Sequence, residues 1–201
     1  MANEVGQEVL GDQAAKFGFG ERPLEDLTSY ASRFTADPDT DLEPPQLAQS
    51  GIGQFEVAAT PLQMAMVAAG VANDGVVMKP QLVRAVRAPN LSILEQRDPE
   101  ELGRAMSTGD ARQLKSMMVS VVEDGTGGPG AIPGVEVGGK TGTAESAPDR
   151  PPYAWYISFA PASDPQVAVA VLVESAQNTN DIAGGRLGGP IARSVMEAVL
   201  R

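Results

Sequence analysis

Apolar positions along the chain recur at helical spacing in some stretches, cluster in short runs in others, and have no period in between. Val5, Val9, Leu10, Ala14 and Phe17 recur at helical spacing, so one helix is predicted over 4–17, with Gly18 placed to end it in the left-handed conformation. Residues 21–50 have no sustained period. "TSYASRFTADPDTDLEPPQLAQS" is polar and proline-bearing, which predicts a long surface loop. The period returns after Thr60-Pro61, a hydroxyl N-cap followed by proline at a position where a missing N–H is harmless. Leu62, Met64, Met66, Val67, Ala69 and Val71 make this helix apolar on most sides and predict burial, with Asn73-Asp74-Gly75 as its stop.

Short strands are predicted over 76–78 and 81–87, around Lys79-Pro80. Residues 88–108 read as a connecting segment. Ser107 or Thr108 then caps a helix over 110–123, whose apolar side carries Leu114, Met117, Met118, Val121 and Val122. "EDGTGGPGAIPG" is a loop by composition. The remainder reads as strands over 135–144, 154–160 and 166–174, then a helix over 191–200 after Pro190. "QVAVAVLVE" is apolar on both faces, as a central strand would be. Strands joined by short turns favour an antiparallel sheet flanked by helices, an α+β (α/β) arrangement.

Composition narrows the chemistry. The 201 residues carry a net charge of −11, which argues against nucleic acid and against a polybasic membrane patch. Cysteine and histidine are both absent. A thiol nucleophile, a Ser-His-Asp triad and the usual zinc sites go with them, so acid–base work falls to Lys, Asp, Glu or Tyr. No cofactor or metal is expected; "TADPDTDLEPP" has no ligand spacing and reads as a solvated loop. No apolar run approaches the roughly 20 residues of a membrane helix, and the first residues lack a signal-peptide pattern.

One of only four lysines lies in "VGGKTGTAES". On a strand, Lys140 and Gly142 face one way and Thr141 and Thr143 the other. Glycine at 138, 139 and 142 is expected to leave room for a second backbone to pair along the strand, and an ammonium beside a hydroxyl suits a carboxylate. The tripeptide alone is common by chance. Gly51, Gly53 and Gln54 read more readily as a turn, and Gly125-Thr126-Gly127 as a loop at the edge of a cleft or merely a loop. Trp155, Tyr156 and the methionines at 64, 66, 117 and 118 read as core or sheet-face residues, and Glu145 as a solvated carboxylate.

In order along the chain, the Thr-Pro-Leu-Gln helix, the Gly-Thr-Gly loop and Lys-Thr-Gly-Thr-Ala-Glu resemble the transpeptidase domain of class B penicillin-binding proteins. The similarity is greatest to actinobacterial members of cell division and peptidoglycan synthesis. It runs from about residue 13 to the C-terminus. The resemblance implies a penicillin-recognising fold and a serine D,D-transpeptidase that cross-links peptidoglycan stem peptides and is acylated by β-lactams. It implies that Lys140, Thr141 and Gly142 are the family's third motif. Lys140 would be a catalytic group that supports the electrostatics holding the substrate carboxylate and assists proton movement, Thr141 would bond that carboxylate, and the Thr143 N–H would be half of an oxyanion hole.

The chain departs from that pattern at the other two motifs. None of its serines begins Ser-x-x-Lys or Ser-x-Asn; Ser175-Ala-Gln-Asn178 has the wrong spacing. The expectation is therefore that residues 1–201 are the C-terminal portion of one such domain, incomplete at its N-terminus and inactive alone. Apolar helix faces, including 4–17 and those of Met64, Met66 and Val67, are then expected to lack cover. Two rivals stand beside it: a β-lactamase or D,D-carboxypeptidase of the same fold, and a non-catalytic scaffold domain. The resemblance also implies work at the extracytoplasmic face of a membrane, on an anchored parent that meets division and cell-wall synthesis proteins.

Overall fold

The computed structural model describes residues 1–24, 26–145, 150–174 and 183–201. The Ser175–Asn178 run and the residues just after it therefore lie outside the described part. The core is a three-stranded antiparallel sheet, β5 (Gly138–Ala144), β6 (Tyr153–Ala160) and β7 (Val167–Val173), in that spatial order. Helix α6 (Gly184–Val199) covers one face. Helices α4 (Pro61–Ala72) and α5 (Thr108–Glu123) cover the other. Alternation along β6 feeds both layers. Tyr156 and Ala160 pack with Ala192 and Met196 of α6; Phe159 packs with Val71 and Ala72 of α4 and Met118 of α5. Tyr156, Phe159 and Met196 are fully buried, each worth roughly 1.5–3 kcal/mol of hydrophobic stabilisation.

Local signals explain the helices that were anticipated. The Gln63 backbone N–H donates to Thr60 Oγ1 (3.1 Å) at the start of α4, and the Asp110 N–H donates to Ser107 Oγ (3.1 Å) at the start of α5. Gln63 of the Thr-Pro-Leu-Gln run is itself buried. Its Nε2 donates to the Phe17 carbonyl at 2.6 Å, so the glutamine ties α4 to the C-terminal end of the helix over Gln7–Lys16.

Several expectations need correction. The helix expected over 4–17 is two, α1 (Ala2–Val5) and α2 (Gln7–Lys16), divided at Gly6 with φ +92°. Its far end is as expected. Gly18 lies at φ +96°, the Phe19 N–H donates to the Ala14 carbonyl, and the Gly18 N–H donates to Ala15. The surface excursion expected over 21–50 ends earlier, because Pro44–Ser50 is a helix, α3. Prolines stand in its first turn, and Glu43 and Gln46 form a reciprocal capping box. Asp37 organises the acidic stretch before it, accepting from Thr40 Oγ1 (2.7 Å) and the Asp39 N–H (3.1 Å), bonds that lower its pKa.

The segment 88–108 is not merely a connection. It holds β3 (Ile93–Gln96), which pairs with β2 (Ala85–Arg87), and β4 (Glu101–Arg104), which pairs with β1 (Val76–Met78). These strands are three or four residues long with a bulge in each ladder, too short to show a period. The last helix starts at Gly184, well before residue 191, and takes in Pro190. Gly184, Gly185, Gly188 and Gly189 are all buried, packed against the sheet, the Gly-Thr-Gly loop and the Pro129-Gly130 turn that follows it. Close packing overrides their poor helix propensity.

Met117 is 62% exposed and Leu114 37%, so two of the five residues in the apolar stripe expected on α5 are uncovered. Helix α2 has no buried residue, as expected of the first helix, whereas Met66 is in the core. No helix among the described residues is long and apolar enough to cross a membrane.

Candidate active site

Strand β5 contains the whole Lys-Thr-Gly-Thr run and lies at the edge of the sheet. Among the described residues it pairs with β6 alone, Thr141 opposite Tyr156 and Gly142 opposite Trp155. The outer edge is oriented by side-chain contacts. Lys140 Nζ donates to the Thr141 carbonyl (2.6 Å), and Gln54 Nε2 reaches the Thr143 carbonyl at 3.4 Å. Both carbonyls therefore point away from β6. In an antiparallel ladder the N–H of a residue points with its own carbonyl, so the Thr141 and Thr143 N–H groups line the same open edge. Lys140 and Thr143 are exposed, Thr141 and Gly142 half-buried. One short stretch thus offers an ammonium, two hydroxyls and two outward N–H groups.

The glycines have a nearer cause than a visiting backbone. A Cβ on Gly138 would lie 2.3 Å from the Phe159 ring, and one on Gly139 would lie 2.7 Å from the Tyr156 hydroxyl. Both are bare because the chain's own core fills the space. Gly142 is covered by the start of α6, where a Cβ on Gly184 would fall 2.7 Å from the Gly142 carbonyl oxygen. The expectation that the glycines clear the way for a second strand is corrected accordingly at Gly138 and Gly139; what invites pairing is the edge that no strand occupies among the described residues.

Two residues first read as turn or loop reach this strand. Gln54 does so as described, from a turn in which Gly53 (φ +78°) and Phe55 (φ +61°) are both left-handed. For phenylalanine that conformation stores strain, which often gathers beside functional sites. Thr126 Oγ1 lies 2.9 Å from Thr141 Oγ1. The loop carrying Thr126 is fixed by the buried Tyr156 hydroxyl, which donates to the Gly127 carbonyl at 2.9 Å. Trp155 is half-buried on β6, and Glu145 is exposed beyond the end of β5. No cluster of acidic side chains that could hold a metal occurs among the described residues.

Burial raises the pKa of Tyr156 to about 12 from its ordinary 10.0. The folded chain keeps the phenolic proton where the unfolded chain has lost it, so stability is expected to fall as pH rises from about 10 to about 12. Tyr156→Phe removes that dependence and one of two hydrogen bonds to the Gly127 carbonyl, which keeps the Gly130 N–H (2.9 Å), at a cost of about 0.5–1.5 kcal/mol. Chemical denaturation across this pH range reads both effects; a slope unchanged in the variant would assign the pH dependence to other groups.

An edge strand of this composition, laid against a sheet with helices on both faces, defines a class. Residues 1–197 match the family model for the penicillin-binding protein transpeptidase domain, and the chain belongs to that family. It is similar to the peptidoglycan D,D-transpeptidase PbpA of Mycolicibacterium smegmatis, 43% identical over 98% of this chain and 40% of the relative. It is 41% identical to PbpA of Mycobacterium tuberculosis over the same shares. Among solved structures, penicillin-binding protein A from M. tuberculosis, as a ceftriaxone acyl-enzyme complex, superposes with a TM-score of 0.90 at 40% identity. That match covers 100% of this chain and 45% of that one. The chain thus spans less than half the length of these relatives.

Proposed function

We propose that this chain is the C-terminal portion of the catalytic domain of a peptidoglycan D,D-transpeptidase and supplies the carboxylate-binding and strand-pairing half of its active site. The observation that carries the reading is the open edge of β5, where Lys140, Thr141 and the outward Thr143 N–H stand together. Lys140 and Thr141 attract and bond the terminal carboxylate of a stem peptide, a charge-assisted contact. The Thr143 N–H donates to the oxygen that becomes negative in the tetrahedral intermediate; such a donor is worth roughly 3–4 kcal/mol in related chemistry.

The nucleophile is a serine, with its activating lysine, supplied from outside residues 1–201, since no serine here begins Ser-x-x-Lys. Its Oγ bonds to the penultimate D-alanine carbonyl. The peptide bond to the terminal D-alanine breaks, and that residue leaves with a proton on its amine. An acceptor amine then attacks the ester, forms the cross-link and returns the proton to the serine. β-Lactams acylate the same serine. The exposed Val9, Leu114 and Met117 suit a chain that is covered by the rest of a larger domain. The parent works at the extracytoplasmic face of the cell membrane, where its substrate is, alongside other cell-wall synthesis proteins.

Incubating the full-length protein with a stem pentapeptide and an amine acceptor is expected to release D-alanine and form the exchanged peptide. D-Alanine release without exchange would favour a carboxypeptidase. No release from a folded protein would favour a scaffold.

A further inference from the structure

The Gly125-Thr126-Gly127 loop is built around a single hydroxyl. It follows α5 and is held from three sides. The Gly127 N–H donates to the Val121 carbonyl (2.8 Å), the Tyr156 hydroxyl donates to the Gly127 carbonyl (2.9 Å), and a Cβ on Gly185 would lie 2.0 Å from the Thr126 carbonyl oxygen. Both flanking glycines are needed for this closeness, because a Cβ on either would lie 2.9 Å from the Val121 carbonyl oxygen. Thr126 is thus the one side chain the tripeptide carries. Its Oγ1 is 2.9 Å from that of Thr141.

A threonine hydroxyl has one proton and two lone pairs. If Thr141 donated to Thr126, it would have no proton for a carboxylate. If Thr126 donates to Thr141, the Thr141 proton is free to point outward, and the bond already made polarises it toward a stronger donation. An anion beside Lys140 selects the second arrangement. We propose that Thr126 is a positioning residue that donates to Thr141 and makes the Thr141 hydroxyl a committed donor to the substrate carboxylate. The proposal rests on the reading of β5 as the substrate strand. Thr126 acts through Thr141 and leaves the acyl-transfer step to other groups, so its loss weakens capture of the anion and spares acylation once the ligand is bound.

The test is the acylation of the full-length protein by penicillin G, with binding and chemical steps separated by stopped-flow. Thr126→Val is expected to weaken binding about tenfold, the scale of one charge-linked hydrogen bond, with the acylation rate constant unchanged. Thr126→Ser is expected to restore binding to within about twofold, since it keeps the hydroxyl. The Thr126→Val/Thr141→Val double variant is expected to match Thr141→Val alone. Should Thr126→Val lower the thermal midpoint, Thr126→Ala, which adds no methyl, replaces it in the cycle. Wild-type affinity without the hydroxyl, no rescue by serine, or a double variant as weak as the product of the singles would each overturn the proposal. The last result would mean that Thr126 contacts the anion itself. A wild-type protein that is folded and not acylated at all would remove the reading of the site, and this inference with it.

Discussion

Lys140→Ala in the full-length protein is expected to slow acylation by penicillin about 10²–10⁴-fold, the range for loss of a group that both orients a charge and assists proton movement. The ammonium is exposed and bonded to its neighbour's carbonyl, so it anchors nothing in the core. Stability is therefore expected to change by no more than about 0.5 kcal/mol. The pairing of a large kinetic loss with a silent thermal scan is what separates a site residue from a structural one. Lys140→Arg keeps the charge but places it on a planar fork, and only part of the rate is expected to return. Acylation of Lys140→Ala at the wild-type rate would leave β5 as an ordinary edge strand.

Gly184→Ala is expected to destabilise the chain by about 3 kcal/mol or more, which for a domain of this size lowers the midpoint by roughly 6–12 °C. Two effects compete. Alanine is the better helix former by about 1 kcal/mol, but its Cβ would fall 2.0 Å from the Trp155 carbonyl oxygen, 2.7 Å from that of Gly142 and 3.0 Å from the Gly142 nitrogen. All three are backbone atoms of paired strands, which cannot move without shifting β5 itself. The clash therefore wins, and acylation by penicillin is expected to fall with stability. A midpoint that rises would show that helix propensity decides and that α6 does not press on the lysine strand. Differential scanning calorimetry gives the answer directly.

The parts of this architecture that are local in sequence were legible in it. Thr60-Pro61 and Ser107 announce helix starts because a cap is a contact three residues long. The three long strands show as apolar runs, and their antiparallel order follows from short connections. Lys140 to Thr143 stand out by motif, and the structure places all four on one edge strand. What the pattern hides is made by distant partners. Gln54 meets Thr143 across 89 residues and Gln63 meets Phe17 across 46. Nothing near Gly184 in the chain reveals that Gly142 lies beneath it, so the start of α6 reads as loop until the sheet is in view. Gly138 and Gly139 of β5 were assigned to a visitor because the Phe159 ring and the Tyr156 hydroxyl that claim their space lie on another strand. Gly6 divides the first helix because it adopts φ +92°, a choice that glycine permits and does not require.

The most direct test is intact-mass analysis after incubation with penicillin G, on the 201-residue chain and on the full-length protein side by side. One penicillin added to the full-length protein and none to the shorter chain is the expected result. It would place the nucleophile outside residues 1–201 and leave Lys140 and its neighbours to hold the ligand. A stoichiometric adduct on the 201-residue chain would contradict the account, because it would require a nucleophile that these residues have not been assigned.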